Sequence, residues 1–344
     1  MKASANPRPL LTVLLLAACL LSSCDRSTRY AKLEGYAQGG TWHAICRIPQ
    51  GQNEKRLQEG ADEILRSINR SLSGYNKGSL LSRINRGDDL PLDEHMLRNF
   101  SLSKEIWELS GGAFDPSAAP IFDRWGFGFA GDGKDADIPS AAELDSLMAF
   151  TGMDLFSTEE REDGIHLVKA DSRCRLNFNA IAQGYSCDTI GRWLESLGCH
   201  DYMVEVGREI LCKGKSARGG DWIIGVEYPS YDAAEDSPAL IEKLNLTDCG
   251  IVTSGNYRKY YIRDGRRYAH TVDPRTGMPV EHNLLSATVI AEDAATADAY
   301  ATWMMVIGPE AASRIADSLG FVLYLVEDGK PLVKVGSSPS GLQD

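Results

Sequence analysis

The chain has 344 residues, of which 43% are apolar and 24% are charged. This composition excludes a disordered linker and is that of a folded protein, which buries a large core in one large or two smaller domains. The formal net charge is −12, and such acidity argues against nucleic acid as a main partner.

The first 23 residues have the build of a secretory signal. Lys2 and Arg8 precede an apolar run, Leu10 to Cys24, that is too short to span a membrane as a helix. Both "LAAC", ending at Cys19, and "LSSC", ending at Cys24, resemble the bacterial lipobox, whose cysteine is lipidated before cleavage. We expect lipidation at Cys24, because the chain becomes polar directly after it; the alternative is an unlipidated signal with incidental cysteines. Removal of residues 1–23 takes away two cations and no acids, so the net charge moves from −12 to −14.

The mature chain is expected to begin with a polar tether, residues 24–36, followed by a folded domain at 37–344. Gly39–Pro49 alternates between apolar and polar residues, which predicts a strand. Asn53–Ser73 carries apolar residues at helical spacing and predicts a helix. The domain should therefore open with a strand and a helix.

A second helix is predicted before an irregular region. Asp93 is a suitable N-cap, and Gly111-Gly112 are suited to close the helix. Trp125–Pro139 is rich in Gly and Asp and predicts a loop, and Ala141–Phe150 predicts another helix.

The second half of the chain mixes helices and strands without a regular alternation. Ser186–Gly198 predicts a helix, and the polar stretch Pro229–Leu240 predicts an exposed loop. Because many strands follow one another, the pattern favours an α+β fold over a doubly wound sheet. We expect a single interlocked unit of mixed sheets and helices, preceded by the lipoprotein signal peptide. The strand-like runs are Tyr202–Gly214, Asp221–Pro229 and Ser286–Asp293.

The cysteines beyond Cys24 do not form a C-x-x-C pair of the kind that marks zinc or redox sites. Disulfides are compatible with an oxidising compartment, but the sequence does not assign them. We expect most of these residues to be small, buried and apolar. They are Cys46, Cys174, Cys187, Cys199, Cys212 and Cys249.

The helix predicted at Ala295–Gly308 places Asp298 and Thr302 four residues apart on one face. A carboxylate beside a hydroxyl suits a hard cation such as Mg²⁺, which takes oxygen ligands. The same pair is also common as a capping or back-bonding pair at a helix start. The spacing therefore needs support from another motif.

Cys174–Asp188 is expected to run from a strand through a turn of small residues into a helix. Backbone groups from Ala180 to Gly184 would then lie at the mouth of a pocket, where N–H groups bind anions or a carbonyl binds a metal. A plain strand-to-helix connection would give the same pattern.

Other stretches combine aromatic with polar side chains or follow a strand. Phe114 precedes Asp115 at a turn restricted by proline, and Tyr75 lies in "SGYNKGSLLSRIN". Two such aromatics can sandwich a planar heterocycle, although isolated aromatics are more often core residues. Thr253 and Ser254 follow a short apolar strand, where a loop either meets a ligand or enters a hairpin.

The segment "RRYAHTVDPRTGMP", residues 266–279, contains a turn and a histidine. Asp273 and Pro274 start the turn, and Gly277 supplies a flexible backbone position. The turn alone gives His270 no role.

Taken in this order, these stretches resemble the FAD:protein FMN transferase family, the ApbE-type flavin transferases. The resemblance extends from about Gln38 to Gly308, nearly all of the mature chain. It rests on nine collinear matches: "QGGTW", "SGYNKGSLLSRIN", "GAFDPS", "WGFG", "NFNAIAQGYSCD", "VEVGRE", "VTSGNY", "HTVDPRTGMP" and "TADAYAT".

The resemblance implies a periplasmic, Mg²⁺-dependent enzyme that transfers FMN from FAD to a Thr or Ser hydroxyl of an acceptor protein and releases AMP. Acceptors of this kind include subunits of membrane redox complexes, so we expect a domain held by its lipid at the periplasmic side of the inner membrane. His270 is then the general base for the acceptor hydroxyl. Mg²⁺ ligands are Asp298, Thr302 and the carbonyl of Ala180. The implied FAD contacts are Gln38, Tyr75, Ala113, Phe114, Asp115, Asn177, Gln183 and Val272.

The chain departs from the family pattern at several positions. Gln38 stands where Met is usual, Asn177 where Asp is usual and Gln183 where Lys is usual, and "GRE" at 207–209 replaces Gly-Gly-Glu. Asn177 lacks the charge of an acidic acceptor, and Gln183 lacks a cation for the phosphates, although both amides still form hydrogen bonds. We expect weaker or altered FAD binding, with activity retained.

Two alternatives to a transferase stay open from the sequence. A non-catalytic flavin-binding lipoprotein would keep the pocket without turning FAD over, and an FAD pyrophosphatase would use the same metal site with water as acceptor. Asp298, Thr302 and His270 favour an enzyme over a carrier, but they barely separate a transferase from a hydrolase.

Overall fold

The structure is a computed structural model that describes residues 29–129, 137–229, 240–257, 260–263 and 265–336. The predicted signal peptide and Cys24 lie outside the described residues, as do parts of the two predicted loops, at 130–136 and 230–239. Among the helices that the structure describes, none is long and apolar enough to cross a membrane.

Eight antiparallel strands form the main sheet, in the order β1-β2-β5-β6-β9-β14-β15-β16. Because β2 pairs with β5, the sheet joins the first half of the chain to the second. The bounds of these strands are β1 Tyr30–Ala37, β2 Gly40–Arg47, β5 Tyr202–Val206, β6 Glu209–Lys213, β9 Cys249–Gly255, β14 Leu284–Ala291, β15 Val322–Glu327 and β16 Val333–Val335.

Four two-stranded hairpins surround the main sheet. They are β3 Phe156–Arg161 with β4 Gly164–Lys169, β7 Trp222–Glu227 with β8 Leu240–Leu246, β10 Tyr260–Arg263 with β11 Arg266–Ala269, and β12 Val272–Asp273 with β13 Met278–Pro279.

Several of the helices begin where a side chain accepts a hydrogen bond from a free backbone N–H group. The side chain of Asn53 accepts from Arg56 N at the first helix, and that of Asp93 accepts from Met96 N at the third. Gly111 ends the third helix at φ 58°, a left-handed conformation that glycine adopts without strain. The helices are α1 Glu54–Leu72, α2 Leu80–Asn85, α3 Glu94–Ser110, α4 Ala119–Arg124, α5 Ala141–Met148, α6 Ala182–Ser196, α7 Ala294–Ile307 and α8 Pro309–Leu319, with a short 3₁₀ helix at Met153–Leu155.

Alternate residues of the central strands face two different layers. Val252 and Val289 pack in the large core that includes α7, whereas Ile251 and Ile290 pack with Trp222 under the β7–β8 hairpin. A central strand such as β14 is therefore buried on both faces, which explains its nearly continuous apolar run.

The predicted α+β class is confirmed, with helices and several sheets packed into one interlocked unit. The expected character of the cysteines is also confirmed, because the six at 46, 174, 187, 199, 212 and 249 are buried and free of disulfides.

Two local predictions are wrong. The tether predicted at 24–36 ends earlier, because β1 occupies Tyr30–Ala37, pairs with β2 along its length and buries Ala31 and Leu33. As the edge strand of the sheet, β1 alternates buried with exposed residues and so looks polar in the sequence. The strand expected at the start of Cys174–Asp188 is only an isolated bridge from Arg175 to Ala118.

Candidate active site

A cavity of about 700 Å³ opens where loops from both halves of the chain meet α7. This volume is typical of sites for small molecules and cofactors. The cavity contains every site residue predicted within the described chain except Gln38. These are Tyr75, Ala113, Phe114, Asp115, Asn177, Ala180, Gln183, His270, Val272, Asp298 and Thr302.

A stack of aromatic rings extends from the core to the cavity, and its members Phe127 and Tyr261 line the cavity. Trp125 stacks on Tyr268 with ring centroids 5.7 Å apart, Tyr268 stacks on Tyr261 at 5.4 Å, and Tyr261 stacks on Phe127 at 5.5 Å. The His270 ring meets Phe127 edge-on at 6.3 Å. We call these four stacked residues the aromatic wall. It brings the "WGFG" stretch beside the "RRYAH" stretch and places a histidine next to a surface that suits a planar heterocycle.

Tyr75 and Phe114, the aromatics expected to sandwich a ligand, differ in burial. The Tyr75 side chain is 63% exposed, meets Phe129 edge-on at 5.1 Å and accepts a hydrogen bond from Asn179 Nδ2 at 3.3 Å. Phe114 is only 2% exposed and belongs to the core, although it also lines the cavity. Tyr75 is therefore the accessible ring of the pair.

His270 lies in a bend between β11 and β12, and the following turn is tightly fixed. The Asp273 carbonyl accepts a hydrogen bond from Gly277 N at 2.8 Å, and its carboxylate accepts one from Arg275 N at 2.9 Å. Gly277 has a φ of 70°, which suits glycine, and its carbonyl accepts from Trp125 Nε1 at 2.7 Å. The turn thus holds His270 against the aromatic wall.

Asp298 is buried at the floor of the cavity. Its Oδ2 accepts a hydrogen bond from Gly184 N at 3.2 Å, so α7 and α6 meet at this carboxylate. Burial, with a smaller contribution from the charge of Asp188, raises the pKa of Asp298 to about 7. One turn further along α7, Thr302 Oγ1 lies 3.4 Å from Ser254 Oγ at the end of β9.

The groups brought together by α7 and the turn before α6 fit a hard cation. Asp298 offers a carboxylate, Thr302 a hydroxyl and Ala180 a backbone carbonyl, and all three residues line the cavity. Oxygen donors with one carboxylate or two are typical of Mg²⁺ sites. Within the described part of the chain there is no cluster of three or more His, Cys, Asp or Glu that could hold a metal ion, so this site would depend on hydroxyl and backbone oxygens beside its carboxylate.

Asp115 is held by hydrogen bonds in a buried position. Its carboxylate accepts from Trp107 Nε1 at 3.1 Å, from Ser117 N at 2.8 Å and from Ser117 Oγ at 2.5 Å. Burial outweighs these hydrogen bonds and raises the pKa of Asp115 to about 6.

The two amides that depart from the family pattern both reach the cavity. Asn177 Oδ1 accepts from Asn179 N at 2.9 Å, so the side chain shapes the turn that leads to α6. The Gln183 amide packs against Gly207, where a Cβ would lie 2.0 Å from Gln183 Nε2. The φ of 66° at Gly207 also favours glycine at this position.

Gln38 is not among the residues that line the cavity, and its contact with FAD stays a prediction. It lies in the turn between β1 and β2 with a φ of 51°, and its Nε2 donates a hydrogen bond to Ser186 Oγ at 2.5 Å. The amide is thus directed at α6, where it ties the edge hairpin to the helix.

Several cavity residues were not predicted. Glu209, Phe127, Tyr260 and Tyr261 line it, and each lies in or next to a stretch that matched the family motifs. The motifs "VGRE" and "WGFG" drew attention to Glu209 and Phe127, but spacing along the chain does not show that these side chains face the same space as Asp298.

Comparison with known proteins decides the family. The sequence pattern of the ApbE family matches residues 38–325. The chain belongs to the ApbE family.

Relatives of this ApbE-family chain are similar over nearly their whole length. It is 32% identical to the FAD:protein FMN transferase of Escherichia coli K12, covering 95% of this chain and 94% of the relative. It is 31% identical to that of Haemophilus influenzae, covering 90% of each. The solved structure of the flavin transferase ApbE from Vibrio cholerae superimposes with a TM-score of 0.78 at 30% identity, covering 90% of this chain and 97% of that one.

Arg208 is a position where this ApbE-family chain departs from the motif glycine. It has a φ of 96°, a value at which any residue with a Cβ is strained. The conformation explains why glycine suits the site. Arg208 is half-exposed and forms an ion pair with Glu227 on β7.

Proposed function

We propose that the chain transfers FMN from FAD to a Thr or Ser hydroxyl of an acceptor protein and releases AMP. The observation that carries this proposal is the convergence of His270, Asp298 and Thr302 on one cavity beside the aromatic wall. Membership of the ApbE family, with relatives named FAD:protein FMN transferase, supports the same reaction.

FAD carries two planar ring systems and a pyrophosphate, and the cavity offers groups for both parts. Phe127, the end of the aromatic wall that lines the cavity, and the exposed ring of Tyr75 suit stacking on a planar heterocycle. The amides of Asn177 and Gln183 supply neutral hydrogen-bonding groups. Because these amides lack the charges usual in the family, we expect FAD affinity to be altered.

The reaction is a phosphoryl transfer in which the chain positions groups and manages one proton. The acceptor oxygen forms a bond to the phosphorus of the FMN half, and the bond from that phosphorus to the bridging oxygen breaks. The electron pair of that bond leaves with AMP. A ring nitrogen of His270 takes the hydroxyl proton as the new bond forms.

Asp298, Thr302 and the Ala180 carbonyl would hold Mg²⁺ in this site. The cation, when bound, supplies positive charge that offsets the pyrophosphate. The α6–α7 contact keeps Asp298 in place through its hydrogen bond from Gly184 N.

The soluble mature domain, incubated with FAD, Mg²⁺ and a candidate acceptor domain, tests the proposal. We expect in-gel flavin fluorescence on the acceptor together with one AMP for each flavin transferred. Asp298→Asn should lower turnover much more than folding stability, with partial rescue at high Mg²⁺. Release of free FMN with AMP and no labelled acceptor would instead identify an FAD pyrophosphatase, and FAD binding without AMP would identify a carrier.

We also propose that the domain is anchored by lipid at Cys24 and works in the periplasm, at the inner membrane. The lipobox "LSSC" and the polar residues that follow it support this proposal. An acceptor in a membrane redox complex would then lie within reach of the anchored domain. Mass spectrometry of the mature N-terminus should find an acylated Cys24; an unmodified terminus at another residue would refute the anchor.

A further inference from the structure

Glu209 is a buried acid that the proposed chemistry does not use. It is the first residue of β6, directly after the turn at Gly207 and Arg208, and it lines the same cavity as Asp298. Its backbone carbonyl accepts a hydrogen bond from Cys187 Sγ at 3.1 Å, which ties this end of the strand to α6. The position of Glu209 is therefore fixed by both the sheet and a helix.

One oxygen of the buried Glu209 carboxylate, Oε2, lacks a hydrogen-bond partner among the described residues. The residue is only 9% exposed. Two of the charged groups that act on it, Asp298 and Glu205, are also acids. The positive one, Arg208, is ion-paired with Glu227.

Two buried acids that face one cavity repel each other when both are ionised. In folded proteins, burying one such ion costs on the order of several kcal/mol unless an opposite charge compensates it. Gln183, which lines the cavity nearby, is neutral and provides no such charge. A divalent cation in the cavity would compensate both acids at once.

We propose that Glu209 is the second carboxylate of the cation site, binding the divalent ion itself or one of its water molecules. This inference rests on the proposed function, because it uses the cation held by Asp298 and Thr302. It assigns Glu209 a role in metal affinity, which a purely structural acid would not have.

Binding of Mn²⁺, followed by electron paramagnetic resonance on the soluble mature domain, tests the inference without turnover. We expect Glu209→Gln to weaken Mn²⁺ binding by about 10- to 100-fold and Asp298→Asn to weaken it at least as much. Glu205→Gln is the matched control, because it removes the same charge from the same hairpin at a residue outside the cavity lining. Its Mn²⁺ affinity should equal that of the wild type. The titrations are run with Mn²⁺ alone and again with ADP as a pyrophosphate that cannot transfer FMN.

Thermal unfolding gives a second readout. Without metal, Glu209→Gln should be at least as stable as the wild type, because it removes an uncompensated buried acid. Added Mg²⁺ should raise the melting temperature of the wild type and of Glu205→Gln, but much less that of Glu209→Gln.

The outcomes separate this inference from the proposed function. If Glu209→Gln binds Mn²⁺ like the wild type while Asp298→Asn does not, the role of Glu209 is refuted and the cation site stands. If Asp298→Asn also keeps the wild-type affinity, the cation site itself is refuted. Transfer of FMN, measured separately, then decides whether the proposed reaction survives.

Discussion

His270 is the residue at which substitution best separates chemistry from binding. If its ring takes the proton from the acceptor hydroxyl, His270→Asn should bind FAD with near-normal affinity and lose roughly two to four orders of magnitude in transfer rate. FAD titration by fluorescence and the single-turnover rate measure the two quantities. Equal losses of affinity and rate would make His270 a flavin contact, and an unchanged rate would give the proton to another group.

Asp115 makes the stability of the fold depend on pH. Its pKa in the folded state is about 6, above the ordinary value of 3.8, so the folded protein holds this proton more tightly than the unfolded chain. Between about pH 4 and 6, the contribution of Asp115 to the free energy of unfolding should therefore fall as pH rises, by about 3 kcal/mol.

Asp115→Asn should lack this dependence, because an amide does not titrate. Urea unfolding of both proteins from pH 4 to 7 measures this pH dependence. The free energy of unfolding of the wild type relative to the variant should decrease up to about pH 6 and then level off. The other acids titrate in both proteins and cancel in the difference. Parallel curves for the two proteins would contradict the assignment.

Arg208 is expected to be strained by its backbone. Because Arg208 has a φ of 96°, the Arg208→Gly protein should be more stable than the Arg208→Ala protein, by about 1 kcal/mol. Arg208→Gly and Arg208→Ala both remove the ion pair with Glu227, so the comparison isolates the backbone. Chemical denaturation of the two variants measures the difference, and an alanine variant as stable as the glycine one would disprove the strain.

At the scale of elements, the contact between the first turns of α6 and α7 positions the cation site. Asp188 on α6 accepts hydrogen bonds from Ala294 N and Ala295 N, both at 2.9 Å, and so caps α7. Gly184 on α6 approaches α7 so closely that a Cβ would lie 2.2 Å from the carbonyl oxygen of Ala294. The two helices therefore form one rigid support for Asp298.

Gly184→Ala should separate these helices, because the atom it meets is backbone and cannot rotate away. We expect a loss of about 1–3 kcal/mol of stability and a weaker affinity for Mn²⁺. Gly220→Ala is the control, since a Cβ there meets nothing within 4 Å; its stability should stay within about 0.5 kcal/mol of the wild type. Wild-type stability and Mn²⁺ affinity in Gly184→Ala would contradict the tight contact.

At the scale of the whole molecule, β1 makes the edge of the main sheet part of the folded domain. A chain that starts at residue 29 should fold and retain its melting temperature, whereas one that starts at residue 38 loses β1 and the buried side chains of Ala31 and Leu33. We expect the shorter chain to lose on the order of 3 kcal/mol of stability. Equal melting temperatures for the two chains would instead support the predicted tether at residues 24–36.

Local structural features that depend on residues close together in the sequence could be predicted from the sequence. The cap of α3, the end of α3 at Gly111 and the pair Asp298 and Thr302 on α7 all follow from spacing of a few residues, because helix geometry fixes which groups meet. Most of the residues that line the cavity also lie in the stretches that match the family motifs.

Only the tertiary structure decided which side chains share the cavity. Glu209 and Asp298 line the same cavity because β6 pairs with β9 and β9 packs against α7. These elements are far apart in the sequence. The motif around Gln38 likewise does not show that the turn directs the Gln38 amide to Ser186 on α6. The sequence by itself determined the local elements, the family motifs and the chemistry available. Strand pairing and burial, which depend on contacts between distant residues, decided where that chemistry is brought together.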